Sequence, residues 1–164
     1  MASKKTPTKK FKILIDNREK TQYRYTFDPS WYCDGCIATT LETGDYTIVG
    51  HETEVCIERK RCVAEIAQNF NEDRFYRELE RMRSFKWAYI LCEFSMKDLY
   101  SFPEGADLPP TIKKKIKANG SYLLKKVSEA MITYPNVHFL FCGSQYHAYV
   151  TLVAIFKRVH ESAA

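Results

Sequence analysis

The chain changes from a β-strand pattern to an α-helix pattern close to residue 60. In a predicted strand over residues 54–59, Val55 and Ile57 face one way, while Cys56 and Glu58 face the other. Beyond this strand the apolar residues follow helical spacing, at Cys62, Val63, Ile66, Ala67 and Phe70. A strand followed directly by a helix favours a domain of the α/β class.

Other segments continue this alternation of strands and helices along the 164 residues. Further strands are predicted at residues 11–15, 37–41, 46–49, 88–94 and 137–142. Further helices are predicted at residues 73–85, from residue 121, after the capping pair Ser95 and Asp98, and after Gly143-Ser144. We expect one α/β domain over residues 11–164, with a central mixed β-sheet flanked by α-helices. Residues 1–10 contain four lysines and are expected to be a disordered basic tail.

The cysteines predict a reducing environment. Residues 21–36 have no clear period and end in Cys33-Asp34-Gly35-Cys36, but a structural zinc site needs a second Cys or His pair, which we do not find. We therefore expect a loop with two free thiols. Since other cysteines fall in predicted strands as small apolar residues, we expect an intracellular, reducing compartment, the cytoplasm or the nucleus. No apolar stretch is long enough to span a bilayer, and no secretory signal is expected.

Charged residues with the chemistry of an active site surround the fourth predicted strand. Because side chains alternate along a strand, Glu58 and Lys60 project from one face and Arg59 from the other. Asp45 follows a glycine turn, and a hairpin would bring its carboxylate beside Glu58. Asp16 ends the first strand. Two carboxylates and a lysine suit metal-assisted attack of water on a phosphodiester, and a salt-bridge cluster around a hairpin is the simpler alternative.

This chemistry assigns each residue a role. Asp45 and Glu58 are the candidate ligands of Mg²⁺, which would polarise the phosphate and lower the pKa of a bound water. Lys60 would position that water or stabilise charge on phosphorus, and Asp16 would complete the metal shell through water. Together with Arg59, these four are the candidate catalytic residues.

The charge balance favours a polyanionic partner. Lys and Arg number 25 against 20 Asp and Glu, a formal net charge of +5. The candidates for phosphate contact are Arg18, Arg74, Arg77, Lys113, Lys114 and Lys115. For the helix arginines and the lysine run, an ordinary solvated surface is the alternative.

The last predicted helix is apolar on more than one side. One stripe is formed by Tyr149, Leu152, Val153 and Phe156. Further apolar positions are Val150, Ala154, Ile155 and Val159. A helix with so wide an apolar surface packs on two sides, which predicts a dimer interface.

Several motifs together resemble one nuclease family. Gly-Asp at residues 44–45 and Glu-Arg-Lys at 58–60 resemble the GDX(n)ERK signature of XPF-type structure-specific endonucleases, a branch of the restriction-endonuclease-like fold. Asp-Asn-Arg-Glu at 16–19 resembles the D-x-R-E motif that opens this domain. Residues 73–82 and 88–94 are similar to the helix after the signature and to an apolar strand that ends in Glu-Phe.

The resemblance implies an XPF-type nuclease domain that cuts branched, flapped or forked DNA beside a junction of duplex and single strand, using Mg²⁺ or Mn²⁺. It also implies a homodimer or heterodimer formed through the last two helices. Because the family's tandem helix-hairpin-helix module is not found in these residues, we expect the nuclease domain, the lysine-rich segment or a partner to recognise the junction.

One position departs from the family signature. The signature continues with an aspartate where this chain has Ala64, followed by Glu65. Either Glu65 substitutes, or this supporting carboxylate is absent. Two other functions stay open: a catalytically silent DNA-binding or dimerisation subunit, and an RNA-directed or nucleotide-hydrolysing enzyme of the same fold.

Overall fold

A six-stranded β-sheet with helices on both faces organises the computed structural model, which describes residues 9–163. The strands are β1 (Phe11–Asp16), β2 (Cys33–Thr39), β3 (Tyr46–Ile48), β4 (Val55–Lys60), β5 (Trp87–Cys92) and β6 (Val137–Phe141). The helices are α1 (Val63–Asn69), α2 (Asp73–Met82), α3 (Met96–Tyr100), α4 (Pro110–Lys113), α5 (Gly120–Thr133) and α6 (Gln145–Ser162). The predicted mixed α/β fold is confirmed, while most of the predicted basic tail lies outside the described residues.

The strand order in the sheet is β2-β1-β3-β4-β5-β6. β3 runs antiparallel to both β1 and β4, whereas β2 is parallel to β1, and β4, β5 and β6 are parallel to one another. The C-terminal ends of β1 and β4 therefore meet the N-terminal end of β3 at one edge of the sheet. Asp16, Asp45 and Lys60 all lie at this edge.

The sheet separates two layers of apolar packing. Helices α1, α2, α3 and α5 cover one face, where Ile66, Leu79, Leu99 and Leu123 are fully buried. Helix α6 covers the other face with Leu152 and Phe156, which pack in one cluster with Ile13 and Tyr46. Burying apolar surface on both faces holds the central strands in place, and with them the polar residues at their ends.

Three predicted boundaries lie elsewhere in the structure. The predicted loop at Cys33 is the start of β2, since this segment pairs with β1 across an irregular register in which Gly35 has φ +92°. α2 ends at Met82, and the Asn136 side chain donates to the carbonyls of Met82 and Phe85 at 3.0 and 2.8 Å. α5 begins one residue early, because Asn119 caps it by accepting from the Tyr122 amide at 2.9 Å.

The predicted capping pair and the predicted free thiols are present. Ser95 Oγ accepts from the Asp98 amide at 3.2 Å, and the Asp98 carboxylate accepts from the Ser95 amide at 2.7 Å. All six cysteines are free thiols, although the reducing compartment stays a prediction. Between residues 9 and 163, no helix has both the length and the apolar character that crossing a membrane requires.

Candidate active site

The turn before β3 aims Asp45 at the end of β4. The Asp45 amide donates to Ile57 O at 2.8 Å, and Asp45 O accepts from the Asp16 amide at 2.8 Å. The Asp45 carboxylate accepts from the Arg59 amide at 2.8 Å. The backbone of three strands thus fixes the direction of this carboxylate.

Gly44 permits this turn because of its backbone conformation and its close contacts. Its φ is +76°, and a Cβ atom would lie 3.0 Å from Ile57 O. Its amide donates to Glu78 Oε1 at 2.9 Å, so α2 also holds the turn. The Gly-Asp pair of the signature is therefore explained by geometry: the glycine allows the turn and the aspartate uses it.

Glu58 and Lys60 form an ion pair on the same face of β4. Lys60 Nζ donates to Glu58 Oε1 at 2.7 Å, and the two side chains are only 6% and 15% exposed respectively. The Lys60 ammonium also lies 5.3 Å from the centre of the Phe75 ring. This pair lines a cavity of about 280 Å³ together with Asp45. We call it the catalytic cavity.

Burial and mutual repulsion perturb the acids of this cavity. Burial raises the pKa of Asp45 well above its usual value, and the charges of Glu58 and Glu19 raise it further. Burial also raises the pKa of Glu58, which Lys60 opposes. Burial alone would lower the pKa of Lys60, but the neighbouring Glu58 leaves it raised. The lysine therefore keeps its proton, whereas the acids favour any cation that relieves their repulsion.

The residues present fit a magnesium ion. Asp45 and Glu58 supply hard carboxylate oxygens in one cavity. Asn69 lines the same cavity, and among the described residues its buried Oδ1 has no hydrogen-bond partner. Within residues 9–163, no three Asp, Glu, His or Cys side chains form a metal-binding group. Two carboxylates suffice for Mg²⁺, which commonly retains several waters and binds substrate phosphate.

Arg59 points away from the catalytic cavity, as the strand alternation predicts. Its guanidinium contacts Glu93 at 2.6 Å and Glu19 at 3.1 Å, and it also donates to Tyr23 O. It lies 4.4 Å from the centre of the Tyr25 ring, and its side chain is 2% exposed. Arg59 thus joins β4 to the segment after β1, and its backbone amide contacts Asp45, one of the candidate catalytic acids.

The Asp16 carboxylate forms an ion pair with Arg18. The Arg18 guanidinium contacts Asp16 Oδ2 at 2.6 and 2.8 Å, and the Arg18 amide donates to Oδ1 at 3.1 Å. This contact is the leading cause of the raised pKa of Arg18. Both residues line the catalytic cavity, and the Asp16 carboxylate orients the guanidinium of a side chain that is 65% exposed.

The six predicted phosphate-contact residues lie in three places. Arg18 and Arg74 line the catalytic cavity, and the Arg74 side chain is 78% exposed. Arg77 is exposed on α2 but is not part of the cavity wall. The three lysines lie at and just after α4, away from this cavity, and Lys113 donates to Glu104 O at 2.6 Å.

Further polar residues of the cavity wall are Glu19, Glu65, Asn69, Glu78 and Arg81. Glu78 and Arg81 follow Arg74 at helical spacing, a signal that could have identified them from the sequence. Glu65 accepts from the Arg61 amide at 2.8 Å. Glu65 also lines the catalytic cavity, while Ala64 lines a different one.

Comparison with solved structures identifies the fold. XPF from Aeropyrum pernix matches with a TM-score of 0.60 at 14% identity, over 90% of this chain and 64% of that chain. The same protein in complex with DNA gives a TM-score of 0.59 at 12% identity, over 94% of this chain and 66% of that chain. The fold is that of an XPF-type nuclease domain.

Residues 15–154 match the ERCC4 domain. The chain belongs to the ERCC4 domain family, the XPF-type nucleases of DNA repair. The DNA repair endonuclease UVH1 of Arabidopsis thaliana is 27% identical over 109 residues, which are 66% of this chain and 10% of UVH1. The chain thus spans a tenth of UVH1 and about two thirds of the matched XPF structures.

Proposed function

We propose that this chain is a Mg²⁺-dependent endonuclease that hydrolyses phosphodiester bonds in branched, flapped or forked DNA. The carrying observation is the 2.7 Å contact between Lys60 and Glu58, which share one cavity with Asp45. Membership of the ERCC4 domain family supports DNA as the substrate.

The acids and the lysine of the catalytic cavity have different roles in this reaction. When bound, Mg²⁺ or Mn²⁺ would neutralise the phosphate and acidify the attacking water, and Asp45 and Glu58 would hold it. Because Lys60 keeps its proton, it acts as a donor that orients water and stabilises negative charge on the phosphate oxygens. It does not serve as the base.

Arginines at the mouth of the catalytic cavity bind the flanking phosphates. Arg18, Arg74 and Arg81 line the cavity, with side chains that are 65%, 78% and 45% exposed. Such exposed guanidinium groups form strong, charge-assisted hydrogen bonds with phosphate oxygens. Asp16 holds Arg18 in this orientation, so we assign Asp16 a positioning role beside its predicted role at the metal.

Cleavage of labelled DNA tests the proposal. Purified protein with Mg²⁺ should cut a flap or fork, and Glu58→Gln or Lys60→Met should slow cleavage by at least about 100-fold. Glu80→Gln is the matched control, because this glutamate is 60% exposed on α2 and is not part of the wall of the catalytic cavity. Cleavage that survives Glu58→Gln would overturn the site assignment.

A catalytically silent DNA-binding subunit is the second candidate. It is favoured by Ala64 at the position of the family aspartate. Binding of forked DNA without cleavage, in both Mg²⁺ and Mn²⁺, would favour this function.

We also propose that the chain forms a dimer through α5 and α6. Ile132 on α5 is 81% exposed, and Val150 on α6 is 43% exposed beside a groove against β5. Sedimentation velocity should show a homodimer that Val150→Asp weakens. Val49→Asp, at a valine that is 45% exposed just after β3, is the matched control. A wild-type monomer at micromolar concentration would exclude the homodimer and leave a heterodimer.

A further inference from the structure

A second cavity, of about 750 Å³, lies on the other side of α1 from the catalytic cavity. Glu65 and Asn69 of α1 line the catalytic cavity, while Ala64, Ala67 and Gln68 line the second one. Its remaining wall is formed by Asn71, Phe102, Ile116, Lys117, Ala118, Asn119 and Tyr122. One helix, roughly 10 Å across, is thus the wall between the two cavities.

The second cavity combines an apolar floor with side-chain amides. Phe102 and Tyr122 supply aromatic surface. Described hydrogen bonds use Gln68 Nε2, Asn71 Nδ2 and Asn119 Oδ1. Among the described contacts, the opposite atom of each amide has no protein partner, which leaves two acceptors and one donor group. A flat apolar ring with donors and acceptors on its edge, such as a nucleobase, matches this lining.

The charges around the second cavity favour a polyanion. Lys117 lines it, and Lys114 and Lys115 are exposed just before it in the chain. No Asp or Glu is among its lining residues, whereas six carboxylates line the catalytic cavity. The phosphate of a nucleotide in the second cavity would therefore be attracted by lysine, and no carboxylate of the lining would repel it.

Ala64 helps to explain why no acid lines the second cavity. It lies where the XPF-type signature has an aspartate, and its side chain lies at the second cavity. A carboxylate at this position would add a negative charge to the wall. With alanine, the wall carries no acid and stays open to a DNA strand.

We propose that this cavity, the base pocket, binds an unpaired nucleobase of the strand whose phosphate enters the catalytic cavity. The proposal rests on the proposed DNA-cleaving function and explains how one domain distinguishes a fork from a continuous duplex. A base held in a duplex cannot reach the pocket, because it stays stacked and paired.

Binding of two DNA substrates tests the base pocket. Fluorescence anisotropy in EDTA compares a forked duplex with a fully paired duplex of equal length, so that cleavage does not interfere. The wild-type chain should prefer the fork, and Tyr122→Ala should weaken fork binding by about tenfold while leaving duplex binding unchanged. With 2-aminopurine at the first unpaired position, fluorescence should change on binding to the wild type and not to Tyr122→Ala.

A surface variant and its control keep this test independent of folding. Lys117→Glu changes an exposed side chain at the pocket and should also reduce the fork preference. Lys125→Glu, at a side chain that is 72% exposed on α5 and outside the pocket, should not. The cavity could instead bind a second copy of this chain, and sedimentation of the same variants tests this alternative. Loss of self-association in Lys117→Glu would overturn the base pocket.

The outcomes separate the base pocket from the proposed function. If the wild type cuts forks but both variants keep the full fork preference, the base pocket is wrong and the nuclease function stands. An equal loss on fork and duplex would also overturn base recognition. A wild-type chain that neither binds nor cuts DNA would overturn both proposals.

Discussion

The Arg59 amide donates a 2.8 Å hydrogen bond to the Asp45 carboxylate, while the Arg59 side chain is buried on the opposite face of β4. Arg59 thus makes contacts on both faces of the sheet. Its backbone amide holds a candidate catalytic acid, and its guanidinium pairs with Glu19 and Glu93 on the other face. This contact ties the Gly-Asp turn to the Glu-Arg-Lys strand.

Asp45→Asn should stabilise the metal-free protein at neutral pH. Asparagine keeps an acceptor for the Arg59 amide but cannot ionise. It therefore removes a buried carboxyl group whose pKa is raised by burial and by the charges of Glu58 and Glu19. We expect a gain on the order of 1 kcal/mol in urea unfolding at pH 7, together with loss of cleavage. A variant that is less stable than the wild type would show that the Asp45 charge contributes to folding.

Acidification should reduce this difference in stability. A carboxyl group whose pKa is raised in the folded state binds protons more tightly there than in the unfolded chain. The folded wild type therefore gains stability as the pH falls from 7 toward the unfolded pKa of about 4. Unfolding of wild type and Asp45→Asn at pH 7 and pH 5.5 should show the two converging. A gap that widens on acidification would contradict the raised pKa of Asp45.

Arg59→Met should destabilise the fold because it leaves Glu19 and Glu93 without their cation. Breaking a buried ion pair on one side costs about 3–5 kcal/mol, measurable by thermal or urea denaturation. Arg83→Met is the matched control, at a side chain that is 58% exposed, and should change stability by about 0.5 kcal/mol or less. If Arg59→Met folds with normal stability yet loses cleavage, Arg59 acts in catalysis directly.

Gly44→Ala should cost more stability than Gly50→Ala. Both glycines have positive φ, +76° and +87°, but only at Gly44 would a Cβ meet the Ile57 carbonyl, at 3.0 Å. We expect about 1 kcal/mol for Gly50→Ala and at least about 2 kcal/mol for Gly44→Ala, with cleavage impaired only in the latter. Equal losses in urea unfolding would mean that backbone conformation alone sets the cost.

The arrangement of β4 could be predicted because it depends on neighbouring residues only. Side-chain alternation places Glu58 and Lys60 on one face and Arg59 on the other, and the structure has the 2.7 Å ion pair on that face. The change to helical spacing after residue 61 likewise predicts α1 and, with the other apolar segments, the α/β fold.

Partners far apart in the chain were beyond prediction. Glu78 holds the Gly44 amide from 34 residues away, and Glu93 holds Arg59 from the same separation. Pairing with β1 likewise decides that β2 begins at Cys33. No periodicity carries this information, because such contacts form only when the sheet and helices pack.

Residues 64 and 65 show what the sequence determines and what depends on the tertiary structure. From the sequence alone, the chain has an alanine at the position of the family aspartate and a glutamate beside it. Because of the way α1 packs on the sheet, Glu65 lines the catalytic cavity and Ala64 lines the base pocket. Adjacent side chains on a helix diverge by about 100°, so the orientation of the whole helix decides which cavity each one lines.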